Sequence, residues 1–233
     1  MSAAHFPRAC DALIFDLDGV LTDTAELHYA AWQRLADEIG VPFDATVNRR
    51  LKGVDRMASL DIVLERAERH FDADERNALA ARKNAYYVAS IASFGPDQLF
   101  HGARALLADA RAAGLRTALA SASRNAGALV RQLGIEGALD VVVDAATIPN
   151  AKPAPDVFLA AAAALGVAPA RCIGIEDAAA GIWAIHAAGM AAIGIGDPRE
   201  LHRADIVLPD IAALRLNAIV APRALLPPPA GAE

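Results

Sequence analysis

Aromatic residues are scarce in this chain, at 5% of 233 positions, and only two cysteines are present. The apolar content, 55% of the chain, therefore leans on alanine, leucine, valine and isoleucine, a composition suited to helices packed on a buried sheet. Cys10 and Cys172 lie far apart, without the spacing of a zinc site or a CxxC redox pair, and read as ordinary reduced residues. There is no basic run, and the formal net charge is -6, which argues against nucleic acid as a partner. No stretch is apolar enough for long enough to span a bilayer. The first residues carry Arg8 and Asp11 and only a short apolar run, unlike a signal peptide, so the expected location is cytoplasmic, with no membrane partner.

What is present is alternation. Short apolar runs at Ala12–Phe15, Arg116–Ser121, Val141–Val143, Cys172–Ile175, Ala191–Ile195 and Ile206–Leu208 read as strands. Helical patterns lie between them at Ala103–Ala113, Asn125–Leu133, Pro155–Leu165 and Ala178–Ala188, each followed by a glycine: Gly114, Gly134, Gly166 and Gly189. Glycine tolerates the left-handed conformation that ends a helix, and Pro155 and Asp177 suit helix starts. Strand alternating with helix implies an α/β fold with a parallel sheet covered on both faces. The stretch from Thr24 to Ser90 breaks the pattern and reads as helices alone, at Glu26–Ile39, Ser59–His70 and Glu75–Ser90. The expected organisation is a core formed by residues 1–23 and 91–220, with a helical cap inserted at 24–90. The tail 221–233, with prolines at 227–229, is expected to be disordered.

The chemistry gathers where strands end. Asp16 and Asp18 follow the first strand two residues apart, so in an extended chain they project to the same side, and Gly19 lets the chain turn away. Ligands of doubly wound sheets bind outside the carboxyl ends of the strands. A bare Asp-x-Asp also suits a turn or a helix cap. A second acidic pair, Glu176-Asp177, follows the strand Cys172–Ile175. If the strands are neighbours, four carboxylates converge. Two such charges roughly 5 Å apart repel by about 3 kcal/mol at an effective dielectric near 20, so the cluster calls for cations. A hard magnesium ion suits it, and Lys152, in the proline-stiffened segment after a strand, supplies another positive charge. Ser121, Ser123 and Asn125 stand between a strand and a helix start, where hydroxyls, an amide and free backbone N–H groups favour an anion.

Asp16-Leu17-Asp18-Gly19-Val20, Ser121, Lys152 and Glu176-Asp177 occur in the order of the four motifs of the haloacid dehalogenase superfamily, which this chain resembles from Ala12 to about Leu208. Thr22–His28, Leu51–Arg56, Arg82–Asn84, Leu119–Asn125 and Lys152–Asp156 further resemble the beta-phosphoglucomutase branch. That resemblance implies a Rossmann-like core with a parallel sheet and a four-helix cap. It implies Asp16 as the nucleophile and Asp18 as general acid/base. It also implies magnesium held by Asp16, the Asp18 carbonyl, Glu176 and Asp177. Ser121, Ala122 and Lys152 would bind the transferring phosphate, and Arg56, Ser123 and Asn125 the sugar's other phosphate. Lys52, Gly53 and Val54 would line the substrate site from the cap, and Thr24, His28 and Lys83 would position Asp18 on closure. Without the resemblance, His28 reads as structural, Arg56 and Lys83 as surface charges and Trp32 as cap core.

The implied function is interconversion of beta-glucose 1-phosphate and glucose 6-phosphate, with a phosphosugar as the partner. A sugar-phosphate phosphatase of the same superfamily is the alternative. The core motifs do not separate the two; the segment Gly53-Val54-Asp55-Arg56 favours the mutase. Asp55 stands where serine is expected, and is expected to face solvent; Arg124 replaces an expected lysine. A monomer is expected, because a cap has to move over its core.

Overall fold

The computed structural model describes residues 10–219; the proline-rich tail expected to be disordered lies outside them. Six strands form one sheet: β1 (Ala12–Phe15), β2 (Arg116–Leu119), β3 (Val141–Val142), β4 (Cys172–Glu176), β5 (Ala191–Ile195) and β6 (Ile206–Leu208). Their order is β3-β2-β1-β4-β5-β6 and every pair is parallel. The chain works outward from β1 on one side and then returns to lay β4 against its other edge. This reversal makes β1 and β4 the topological switch point of a doubly wound sheet, where such folds bind ligands.

β1 is wholly buried, and its alternation feeds both faces of the sheet. Leu13 and Phe15 join one apolar cluster with Leu107, Leu119, Leu129 and Ile175. Ala12 and Ile14 join the opposite cluster with Phe158, Ala162, Ile182 and Ile185. The first face is covered by α5 (Ala103–Ala112) and α6 (Ala126–Gln132), the second by α7 (Asp156–Leu165) and α8 (Ala179–Ala187). The four glycines expected to stop these helices all have positive φ, between 64° and 75°.

Between β1 and α5 lie α1 (Ala25–Ile39), α2 (Ala45–Arg49), α3 (Arg56–Leu64) and α4 (Ala73–Ile91). They enclose an apolar cluster of their own, including Trp32, Leu35, Leu60, Val63, Phe71 and Leu79. Three differences from the sequence expectation arise in this segment. α3 starts at Arg56 rather than Ser59, because the Asp55 carboxylate accepts from the N–H groups of Met57 and Ala58. Asp55 is thus a helix cap, which gives it a local role instead of a simple solvent-facing one. α3 also stops at Leu64, short of His70; the next side chains pair elsewhere, Glu65 with Arg50 and Arg69 with Glu75. α2 was not foreseen from residue spacing; Asp44 caps it by accepting from Thr46 and Val47.

Candidate active site

The register of β1 against β4 assembles the acidic cluster. Phe15 pairs with Ile175, so the next residues, Asp16 and Glu176, emerge side by side. Parallel neighbours lie about 4.8 Å apart, and both side chains leave the same end of the sheet. Asp16, Glu176 and Asp177 each offer a carboxylate oxygen within 4.8 Å of the others. Lys152 bridges two of them, donating to Asp16 Oδ1 at 2.6 Å and to Glu176 Oε2 at 2.7 Å. All three groups of that bridge are buried. Burial pulls the Lys152 pKa down, but the charges of Asp16 and Glu176 outweigh it and keep the ammonium protonated. Burial, and then the Asp16 charge, push Glu176 up; Lys152 offsets them only in part.

Two glycines make room for this cluster. A Cβ at Gly181 would lie 2.0 Å from the Glu176 carboxyl, and one at Gly19 would lie 1.9 Å from Asp177 Oδ2. Gly19 also has φ +77°, a conformation few other residues adopt. Asp177 does not cap α8 as expected. The helix begins at Ala179 with no side-chain cap. Glu176 Oε1 accepts the N–H groups of Asp177 and Ala178 instead, both at 3.2 Å. The Asp177 carboxylate is left to the cluster and to Lys52 from the cap, whose Nζ is 3.0 Å from Oδ2. Its pKa is raised by burial, with Lys52 opposing. The donor set is all oxygen, and three carboxylates against Lys152 and Lys52 leave it with excess negative charge, so these residues fit a hard divalent cation such as magnesium.

Asp18 lies beside the cluster and belongs to a different network. Burial, then the Asp16 charge, push its pKa up to about 7, and a hydrogen bond from Thr24 Oγ1 opposes them. Thr24 in turn accepts from the Tyr87 hydroxyl at 3.3 Å. The Tyr87 ring stacks on His28 with centroids 4.0 Å apart. Lys83 Nζ lies 2.6 Å from His28 Nδ1. Burial, then Lys83 and Arg56, lower the His28 pKa to about 3, so the neutral ring accepts from Lys83 at Nδ1. Burial and the Arg56 charge bring Lys83 down to about 7, with Asp18 opposing. Thr24 therefore bonds Asp18 directly, and His28 and Lys83 connect to Thr24 through Tyr87. Tyr87, which the sequence reading did not single out, is the packing surface that joins them; Tyr87 sits four residues after Lys83, on the same helix face.

Cap and core enclose a cavity of about 800 Å³ above the strand ends. Arg56, Arg124, Ser121, Ala122, Ser123 and Asn125 line it, as do Lys52, Gly53 and Val54. Burial and the facing Arg124 charge lower the Arg56 pKa. The two guanidiniums feel each other and have no acidic hydrogen-bond partner among the described residues, so this end of the cavity carries uncompensated positive charge. Ser121 is buried and accepts from Ser123 N at 3.1 Å. Asn125 donates from Nδ2 to Asn84 Oδ1 at 2.8 Å, a hydrogen bond from core to cap. The sequence reading assigned Asn84 no role. It also overlooked Gly181, although a glycine in the alanine-rich start of a helix is a visible signal.

Residues 10–189 match the haloacid dehalogenase-like hydrolase family. Over 210 residues the chain is 43% identical to the beta-phosphoglucomutase of Bacillus subtilis, covering 89% of this chain and 93% of that protein. It is 29% identical to a phosphorylated carbohydrates phosphatase of Thermotoga maritima, covering 78% of this chain and 83% of that one. The crystal structure of beta-phosphoglucomutase from Clostridium difficile superposes with a TM-score of 0.88 at 41% identity, covering 90% of this chain and 95% of that one. With its strand-end carboxylates, bridging lysine and doubly wound sheet, the chain belongs to the haloacid dehalogenase-like hydrolase family.

Proposed function

We propose that this protein is a magnesium-dependent beta-phosphoglucomutase that interconverts beta-D-glucose 1-phosphate and glucose 6-phosphate. The observation that carries this reading is a cavity with buried or uncompensated cationic side chains at two separate ends. One is the strand-end cluster with Lys152; the other is the Arg56–Arg124 pair contributed by cap and core. A bisphosphorylated sugar needs both ends, and a cavity of about 800 Å³ admits one.

Asp16 carries the phosphoryl group. The 6-hydroxyl of beta-glucose 1-phosphate attacks the aspartyl phosphate, the bond from phosphorus to the Asp16 oxygen breaks, and Asp18 takes the hydroxyl proton. The product, glucose 1,6-bisphosphate, turns over within the site. Asp16 then attacks the phosphorus on C1, that P–O bond breaks, and Asp18 returns its proton to the departing oxygen. A pKa near 7 suits a group that must both accept and donate a proton at neutral pH. Lys152 neutralises charge on the transferring group, and Ser121 with the Ala122 N–H orients it. Arg56, Arg124, Ser123 and Asn125 hold the distal phosphate. Magnesium, held by Asp16, the Asp18 carbonyl, Glu176 and Asp177, would supply further positive charge to the phosphoryl oxygens. Cap closure excludes water, which would otherwise take the phosphoryl group as in a phosphatase.

The test is product analysis with purified protein, beta-glucose 1-phosphate, magnesium and a trace of glucose 1,6-bisphosphate. Glucose 6-phosphate should accumulate with little inorganic phosphate. Release of phosphate at a comparable rate would identify a phosphatase instead.

A further inference from the structure

Lys52 occupies the turn between α2 and α3, yet its ammonium reaches across to the core. It donates to the Asp177 backbone oxygen at 2.8 Å and lies 3.0 Å from Asp177 Oδ2. The neighbouring Gly53 has φ +73°, and a Cβ there would lie 3.2 Å from the Ala178 Cβ. Cap and core therefore touch at Lys52–Gly53 against Asp177–Ala178. The Lys52 side chain keeps 49% of its surface exposed, whereas the Lys152 side chain keeps 2%. Lys152 cannot leave without stranding buried charge; Lys52 can swing into water at little cost.

Asp177 has a second claimant. Its carboxylate is one of the three that converge within 4.8 Å. A divalent cation in that set would draw on the same negative charge that attracts Lys52, and would repel the ammonium at close range. We propose that Lys52 is a releasable latch between the cap and the cation site: Lys52 and a divalent cation compete for Asp177, so each weakens the other's hold. The proposal rests on the reading of the acidic cluster as a magnesium site. Such linkage is reciprocal, and couplings of this kind typically amount to about 5- to 150-fold in affinity. Cation binding would then loosen the cap at the moment when a bulky phosphosugar has to enter or turn.

The experiment is magnesium titration by calorimetry on the full chain without substrate, paired with hydrogen exchange of residues 51–54. Lys52→Met should bind magnesium about tenfold more tightly than the wild type. In the wild type, magnesium should speed exchange at 51–54; in Lys52→Met, exchange should already be fast and should not respond. Arg49→Met removes a cap charge three residues away that bonds Thr46 and pairs with no core carboxylate among the described residues, and should leave affinity unchanged. Equal or weaker magnesium binding by Lys52→Met would overturn the latch. So would an equal gain in Arg49→Met, or slower exchange at 51–54 when magnesium binds the wild type. No binding by the wild type at millimolar magnesium would overturn the cation-site reading, and the latch with it.

Discussion

Replacing Gly181 by alanine should destabilise the protein, although it places a better helix former inside a helix. Gly181 lies in α8, where exchange of glycine for alanine ordinarily gains about 0.5–1 kcal/mol. Here the new Cβ would stand 2.0 Å from the Glu176 carboxyl carbon and Oε2. Neither group can yield easily. Gly181 is held by its backbone bond to Ala178, and Glu176 is only 1% exposed, with Lys152 2.7 Å away. Glu176 therefore has to turn out of its seat. Breaking a buried ion pair costs about 3–5 kcal/mol, so the net loss should be roughly 2–4 kcal/mol. For a domain of this size that corresponds to a fall in Tm of roughly 5–15 °C. Thermal unfolding followed by circular dichroism, in chelator, measures it. Magnesium affinity should fall by about 10- to 100-fold, since a ligand has lost its support. Ala179→Gly, an exposed exchange in the same helix, should cost only about 1 kcal/mol and leave magnesium binding intact. A Gly181→Ala protein as stable as the wild type, with unaltered magnesium affinity, would refute the steric reasoning.

Further outcomes follow from the charge arrangement. Folding raises the Asp18 pKa from 3.8 to about 7, so the folded state binds this proton more tightly than the unfolded chain. The associated stability is fully present below about pH 4 and is lost as pH rises to 7, an effect of the order of 4 kcal/mol. Asp18→Asn should therefore flatten the pH dependence of urea unfolding between pH 4 and 7 in chelator; an unchanged slope would contradict the assignment. Arg56→Ala should slow the bisphosphate-dependent step by about 10- to 150-fold, the worth of a charged hydrogen bond. Phosphoenzyme formation from acetyl phosphate, which has no distal phosphate, should change little, and equal losses in both assays would remove Arg56 from the distal site.

Strand bounds were legible where burial is simple. β1, β5 and β6 fall where their apolar runs do, because each run is short and ends at residues unsuited to a sheet. The stops of α5 to α8 were legible because glycine alone takes the conformation that follows them. The start of α3 was not, because an aspartate that caps a helix and one that faces solvent look alike in sequence. The same ambiguity affected Asp177, which suits a helix cap by type but is drawn instead toward Lys52 and the carboxylate cluster.

The sequence by itself determined which groups are available: two acidic pairs at strand ends, a lysine, hydroxyls at a helix start and an arginine in the inserted helices. Asp16 was legible because a carboxylate directly after a buried strand has nowhere to go but the sheet's end. Only the tertiary structure decided what those groups do to one another. The β1–β4 register sets Asp16 beside Glu176, and that pairing joins residues 160 positions apart in the chain. Burial then lifts Asp18 to about 7 and brings Lys83 down to the same value, although both are ordinary acids and bases by composition. Those shifts arise from desolvation and from the distances between charges, and neither quantity exists until the chain has folded.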